Sequence, residues 1–229
     1  MGAGVAMKRL FAILALLTLG ACGGGSEGDP YLTAFQQLRG GLFNRSAEGP
    51  AQFTATREVL IEAGITRPVL VARLPQQGIS VGLVEFRTRA NVTIWQSLDG
   101  NTLTTAGGVL RNSRGFGVDL HSLETAPVER ALSLGEAADY ARLFRAIDGE
   151  GALQSVRLYC RIAPQGAERV DVLGRGYDTV RFRETCTVAD RVEPVFENDY
   201  WRGRDGAIWR SRQWAGPELG YADLERVVN

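Results

Sequence analysis

The stretch Val92–Leu120, VTIWQSLDGNTLTTAGGVLRNSRGFGVDL, decides how the chain is to be read. Three runs rich in β-branched residues are separated by Asp99-Gly100 and Gly107-Gly108, and the third ends in a glycine-spaced loop that closes on Asp119 and Leu120. Asp-Gly between such runs marks a tight hairpin, because both central residues of a type I′ turn need positive φ. The stretch therefore predicts strand, turn, strand, turn, strand. With a two-residue loop at Asp99-Gly100, Trp95 lies across from Thr104 and Ser97 across from Thr102. Trp95 then shares a Thr/Ser face, while Val92, Ile94 and Leu103 occupy the other. A large aromatic on a polar face suits stacking against a sugar ring. Two other readings stay open: a second layer over that face makes Trp95 core, and a register slip of one residue reverses the faces.

The same texture extends in both directions. Pro68–Leu74 is a short apolar run, and Gly78–Arg89 is long and β-branched. Further on, Val156, Leu158, Cys160 and Ile162 alternate with Arg157, Tyr159 and Arg161. Val180, Phe182, Cys186 and Val188 likewise alternate with Arg181, Arg183, Thr185 and Thr187. Alternation of this kind predicts half-buried strands, with Cys160 and Cys186 both on inward faces. Glu184 interrupts the apolar face; if buried it needs an arginine or backbone partner, and otherwise it is a solvated residue at a strand bend. Ser133–Ile147 fits two patterns. Ser133 and Glu136 read as a capping box, whereas Tyr140, Arg142 and Phe144 alternate like a strand. Short helices are expected from Asp29-Pro30 and over Thr54–Ala63, the second stopped by Gly64.

Three of the four tryptophans fall in NDYWRGRDGAIWRSRQWAGPELG near the C-terminus. Trp201 precedes Asp205-Gly206 by the spacing at which Trp95 precedes Asp99-Gly100, which suggests a repeated Trp-turn unit. A two-residue loop at Asp205-Gly206 sets Trp209 across from Arg202 and Trp201 across from Arg210, an arginine-over-indole pair. Trp201, Arg210, Arg212, Gln213 and Trp214 together would make a polar-aromatic groove suited to carbohydrate.

The first residues are not fold. Lys8 and Arg9 precede the ten-residue apolar run Leu10–Leu19, too short for a membrane-spanning helix of about 20 residues. With the small-residue exit Leu19-Gly20-Ala21-Cys22, they read as a secretory signal over residues 1–21 with a bacterial lipobox. Cys22 is then the lipidated first residue, followed by a Gly/Ser-rich tether over residues 22–29 and a single domain over residues 30–229. Gly23 after it resembles the outer-membrane sorting pattern. Beyond Cys22 the chain carries 26 acidic residues against 24 arginines and no lysine, a balance that argues against nucleic acid as partner. His121 is the only histidine, which argues against a His-based triad or multi-His metal site. The two remaining cysteines, Cys160 and Cys186, read as a disulfide in an exported chain.

The order Trp95…Asp99-Gly100…Gly108, Arg114-Gly115-Phe116-Gly117-Val118-Asp119-Leu120, Cys160, Glu184-Thr185-Cys186, Asn198-Asp199-Tyr200-Trp201 and Ile208–Pro217 resembles the YjbF/GfcB lipoproteins. The resemblance runs from about Tyr31 to the end. It implies a mainly β fold, a large antiparallel meander curled into a barrel-like domain, and it favours strand for Tyr140–Ile147. It also implies an outer-membrane lipoprotein, on the periplasmic face and acylated with fatty acid such as palmitate, encoded with exopolysaccharide or group 4 capsule operons. The family offers no catalytic residues to carry over. The reading is thus a non-enzymatic accessory of polysaccharide secretion without metal or cofactor, meeting glycan or an export protein. Trp95, Arg114, Trp201, Arg210, Arg212, Gln213 and Trp214 are the expected contact residues. The alternatives are a glycan-processing enzyme using two carboxylates among Asp99, Asp119, Glu184 and Asp205, or a purely structural lipoprotein.

Overall fold

Alternating sequence beyond Pro68 folds into one sheet. The computed structural model describes residues 43–44, 52–117, 119–147, 151–189 and 191–227. The signal peptide, lipidated Cys22, tether and domain start at residue 30 expected from sequence, and the helix expected from Asp29-Pro30, lie outside the described residues. Strands β1 (Phe43–Asn44) and β2 (Gln52–Phe53) pair with each other. Helix α1 (Arg57–Glu62) follows, capped by Thr56, whose side chain accepts from Val59 N, and ended before Gly64. This is the helix expected over Thr54–Ala63.

Twelve strands then form a single antiparallel sheet. In chain order they are β3 (Val69–Leu74), β4 (Ile79–Arg89), β5 (Val92–Gln96), β6 (Thr102–Ala106), β7 (Val109–Arg114) and β8 (Ser122–Leu123), then β9 (Ala138–Ile147), β10 (Leu153–Val172), β11 (Arg175–Thr187), β12 (Phe196–Gly203), β13 (Ile208–Trp214) and β14 (Tyr221–Val227). The chain meanders, and β14 pairs back onto β3, so the two ends of the meander meet in mid-sheet and β7 and β8 become its edges. The sheet curls into a nearly closed barrel. At the seam, Ser113 N donates to Leu120 O (3.1 Å), and the Asp119 carboxylate accepts from Gly115 N, Phe116 N and the Ser113 hydroxyl. The glycine loop of the opening stretch is therefore the latch of the barrel.

Between β8 and β9 lies helix α2 (Ala126–Leu134). The Ser133–Glu136 capping box does not form. Ser133 sits in the last turn of α2, its hydroxyl donating to Arg130 O (2.7 Å), and Gly135 at φ 73° ends the helix. Pro127 in the first turn and Val128, Ala131 and Leu132 at helical spacing explain the helix. That apolar face packs on Val109, Ile162, Phe182, Tyr200 and Ile208, while Tyr140–Ile147 is strand, as the resemblance implied.

The main core fills the barrel, with Leu70, Leu83, Trp95, Leu103, Phe144, Leu158 and Leu224 among its members. One polar strut crosses it. Gln213, almost fully buried, accepts from Leu110 N (2.7 Å) and donates to Gly108 O (2.9 Å) and the Ser211 hydroxyl (2.9 Å). It ties β13 to the β6–β7 turn, where Gly108 approaches so closely that a Cβ would sit 2.8 Å from Ile208. Gln213→Ala strands a buried donor and a buried acceptor. It should lower stability by about 1–3 kcal/mol, read as a fall in urea midpoint at unchanged slope; an unchanged midpoint would show that the strut contributes nothing.

Candidate functional site

The Asp-Gly hairpins are built differently from the two-residue loops expected. Gly100 N donates to Ser97 O (3.1 Å), Ser97 N donates to Asn101 O (2.9 Å), and Gly100 takes φ 84°. The loop thus has three residues, Leu98-Asp99-Gly100, with only the glycine left-handed. The register moves by one: Trp95 pairs with Leu103, not Thr104. Trp95 is buried inside the barrel with Leu103, its indole N–H donating to Thr105 Oγ1 (2.9 Å). It is not a surface platform. The Arg204-Asp205-Gly206 loop has the same pair of bonds, Gly206 N to Gly203 O and Gly203 N to Ala207 O. Here a bulge follows, so Arg202 pairs with Ile208 instead of Trp209, while Trp201 still pairs with Arg210. The two turns match, but their tryptophans face opposite sides of the sheet.

On the outer side, β3, β14, β13, β12 and β11 align a row of alternating charge: Arg73, Asp223, Arg212, Asp199 and Arg183 are successive cross-strand partners. Opposite charges directly across an antiparallel pair stabilise the sheet. Asp199 accepts two bonds from Arg181 (both 2.9 Å) and two from Arg183 (both 3.0 Å). Burial works against its charge, but the two guanidiniums outweigh this and hold its carboxyl below the usual range. The neighbouring row sets Arg181 and Arg210 about Trp201, with guanidinium carbons 5.3 and 5.2 Å from the indole centroid. Trp201 is only 8% exposed. Arg212 covers Tyr221 and bonds Asp223 (3.0 Å).

The expected Trp201–Trp214 groove is therefore divided by the pleat. Trp201, Arg210 and Arg212 lie outside, Gln213 inside, and Trp214 packs between Phe144 and Phe196. Arg114 joins neither set. It donates to Leu120 O (3.1 Å) at the seam and lines a shallow depression with Asp119, His121 and Ile147.

The proposed carboxylate pairs also separate. Asp119 is held by the loop described above, Asp205 Oδ1 accepts from Ala207 N (3.1 Å), and Asp99 is exposed on its hairpin. Glu184 is fully buried against Arg142, which is equally buried (2.7 Å). Its carboxylate also accepts from Tyr140 OH (2.9 Å), Asn198 Nδ2 (2.7 Å) and Tyr200 OH (3.0 Å). Burial, then the Glu184 charge, pushes both tyrosine hydroxyls well above their ordinary pKa, so they remain donors. Arg142 is disfavoured by burial and rescued by Glu184, which keeps it charged. Nearby, Cys160 and Cys186 are joined as a disulfide across β10 and β11. Glu184 and the two sulfurs lie within 4.8 Å of one another, yet a disulfide supplies no thiolate for a metal.

What the structure does assemble is the barrel mouth. Three adjoining depressions share Asn91 as a lining residue. One is a cleft of about 200 Å³ entering the barrel between β4–β6 and β13–β14. Its walls carry Glu85, Thr93, Trp95, Thr105, Ser211 and Arg226. Glu85 is the direct cross-strand partner of Trp95, and Leu224 that of Ser211, so the walls are set by strand register. The second lies at the seam, with Arg111, Glu124 and Arg145; the third runs past α2, with Arg130, Ser133 and Arg202. Of the residues expected from sequence, only Trp95 reaches this mouth. Glu85 and Arg226 continue the inward rows Val81, Leu83 and Ala222, Leu224, but which strands bring them to one cleft is set by the sheet order, which leaves no local sequence signal.

A nearly closed antiparallel barrel with a polar mouth, latched by a glycine loop, defines the structural class. The chain belongs to the group 4 capsule polysaccharide lipoprotein family, GfcB/YjbF, whose model matches residues 43–227. The family is one of capsule-associated lipoproteins rather than a known enzyme family. Among solved structures, the hypothetical lipoprotein YmcC from Escherichia coli (K12) is similar at 18% identity and a TM-score of 0.63, over 72% of this chain and 86% of that one. That likeness speaks for the fold alone. Curated proteins provide no match.

Proposed function

We propose that the protein is a non-enzymatic accessory of exopolysaccharide or capsule secretion, held on the periplasmic face of the outer membrane by lipidated Cys22, and that it binds glycan at the barrel mouth. The observation that carries this reading is the cleft in which the Trp95 indole sits among hydroxyl, carboxylate and guanidinium groups. A sugar needs that combination: an apolar surface for its C–H face, and donors and acceptors for its hydroxyls. Glu184 is closed off inside its network, and Asp119 and Asp205 serve their own turns, which leaves the paired-carboxylate enzyme without support.

Several acyl chains on one cysteine anchor a protein durably where one chain does so only marginally. Cys22→Ser should therefore abolish labelling by palmitate and move the protein to the soluble fraction; equal labelling of variant and wild type would remove the anchor. For the mouth, the soluble Cys22→Ser protein should be retained on immobilised polysaccharide purified from the producing cells. Passage through the column without delay would overturn the glycan reading.

A further inference from the structure

The cleft between β4–β6 and β13–β14 differs from the two depressions beside it in size as well as lining. Its volume of about 200 Å³ lies below the roughly 300–1,000 Å³ of pockets for drug-sized ligands. At about 30 Å³ per molecule in the liquid it equals roughly six or seven waters. A single hexopyranose, whose atoms are covalently packed, fills a similar space; two linked rings do not.

The lining also constrains charge. Glu85 and Arg226 both border the cleft, and neither has an ion-pair partner among the described residues. On the barrel exterior Arg73, Arg181, Arg183 and Arg212 are paired with carboxylates, whereas Arg210 lies against the Trp201 indole. A carboxylate is acceptor-only and a guanidinium donor-only. A ligand buried over both must offer hydroxyl hydrogens to one and oxygen lone pairs to the other, and a net charge of either sign would be repelled by one of them. Thr105 Oγ1 already accepts from Trp95, and Ser211 Oγ already accepts from Gln213, so each hydroxyl has its proton left to donate. With its N–H engaged and only 4% of it exposed, Trp95 offers the ligand an edge of its ring. Arg226 is steadied by Trp209, 5.8 Å from the indole centroid.

We infer that the cleft takes one neutral pyranose residue end-on, a terminal residue of the polysaccharide chain or of a side branch, rather than an internal stretch laid across the mouth. Glu85 and Arg226 divide the hydroxyls between them, and the apolar lining, the exposed edge of Trp95 with Leu70, Ile208 and Leu224, meets the C–H face. This rests on the glycan reading given above and adds to it the size, charge and chain position of the bound unit.

The test uses the soluble Cys22→Ser protein bound to immobilised polysaccharide. The competitors are methyl α- and β-pyranosides of glucose, galactose and mannose, the monosaccharides released from the polymer by acid, glucuronic acid, and oligosaccharides of increasing length. A single neutral ring should displace the protein completely. Glucuronic acid should not, and added residues should change the affinity by no more than a few-fold. Glu85→Gln and Arg226→Gln, each checked for native circular dichroism, should weaken displacement by about tenfold or more, the size of a lost charged hydrogen bond. Arg161→Gln, on the exposed pair with Asp139, serves as the control and should change nothing. If one variant fails to fold, the other carries the test. Retention of the polymer with no single-ring competition and affinity growing with each added residue would overturn the end-on inference while leaving glycan binding intact. Failure of the polymer itself to bind would overturn both.

Discussion

Arg142→Met should cost about 3–5 kcal/mol of folding stability, because it leaves the Glu184 carboxylate buried without its countercharge. Both side chains have zero exposure, and the 2.7 Å pair lies inside the barrel. Tyr140, Asn198 and Tyr200 still donate to Glu184 in the variant, so the loss measured is chiefly that of charge compensation. The pair itself need not stabilise: two desolvated ions often do no better than well-packed apolar groups of similar volume. Arg142 Nη2 moreover meets no protein acceptor. The double variant Arg142→Met/Glu184→Gln should therefore be more stable than Arg142→Met alone, because it removes the uncompensated charge while the amide oxygen still accepts from the tyrosines. Urea unfolding of both proteins reads the difference as midpoints. A double variant less stable than the single would mean that the network is worth more than its desolvation cost.

This network also shows how far sequence reading carries and where it stops. Period-two alternation located β10 and β11 and turned Cys160 and Cys186 inward, because one buried face imposes that pattern whatever the partner strand. For Glu184 it left two readings, a buried carboxylate with an arginine or backbone partner and a solvated residue at a strand bend; the structure selects the first. The alternation did not name Arg142, which reaches Glu184 from β9 across β10, a relation fixed by sheet order and invisible locally. The Asp-Gly turns fail for a different reason. The dipeptide signals a hairpin equally well with two or three loop residues, and one residue of difference sends Trp95 from a Thr face to the core. At Asp205-Gly206 a bulge cancels the same error, so Trp201 meets Arg210 as expected. The alternation in Trp201–Trp214 contained its own warning: Arg212 and Gln213 are adjacent on a strand and have to face opposite ways. The mouth was the least legible part, since its walls come from strands distant in sequence and two of its residues, Glu85 and Arg226, sit in otherwise ordinary strand sequence.

Replacing both Cys160 and Cys186 by alanine should cost about 3–4 kcal/mol in the chain-entropy account, whose mechanism is disputed. The sulfurs close a separation of 26 residues between strands that pair residue against residue, Cys160 directly opposite Cys186. The bridge continues an inward row from Tyr140 on β9 to Phe196 on β12. Losing it therefore frees the unfolded chain while the folded sheet keeps its backbone ladder, so the variant should still fold, at a lower midpoint. The Ser/Ser variant should be worse than the Ala/Ala one, because these positions are only 5% and 0% exposed and a buried hydroxyl without a partner adds its own desolvation cost. Reduction of the wild-type protein by dithiothreitol should lower the midpoint in the same direction. If reduced and oxidised wild type unfold at the same midpoint, the bridge is not a stabilising link. If the loss appears as expected, the barrel is most stable in an oxidising compartment, the chemical condition that export past the inner membrane supplies.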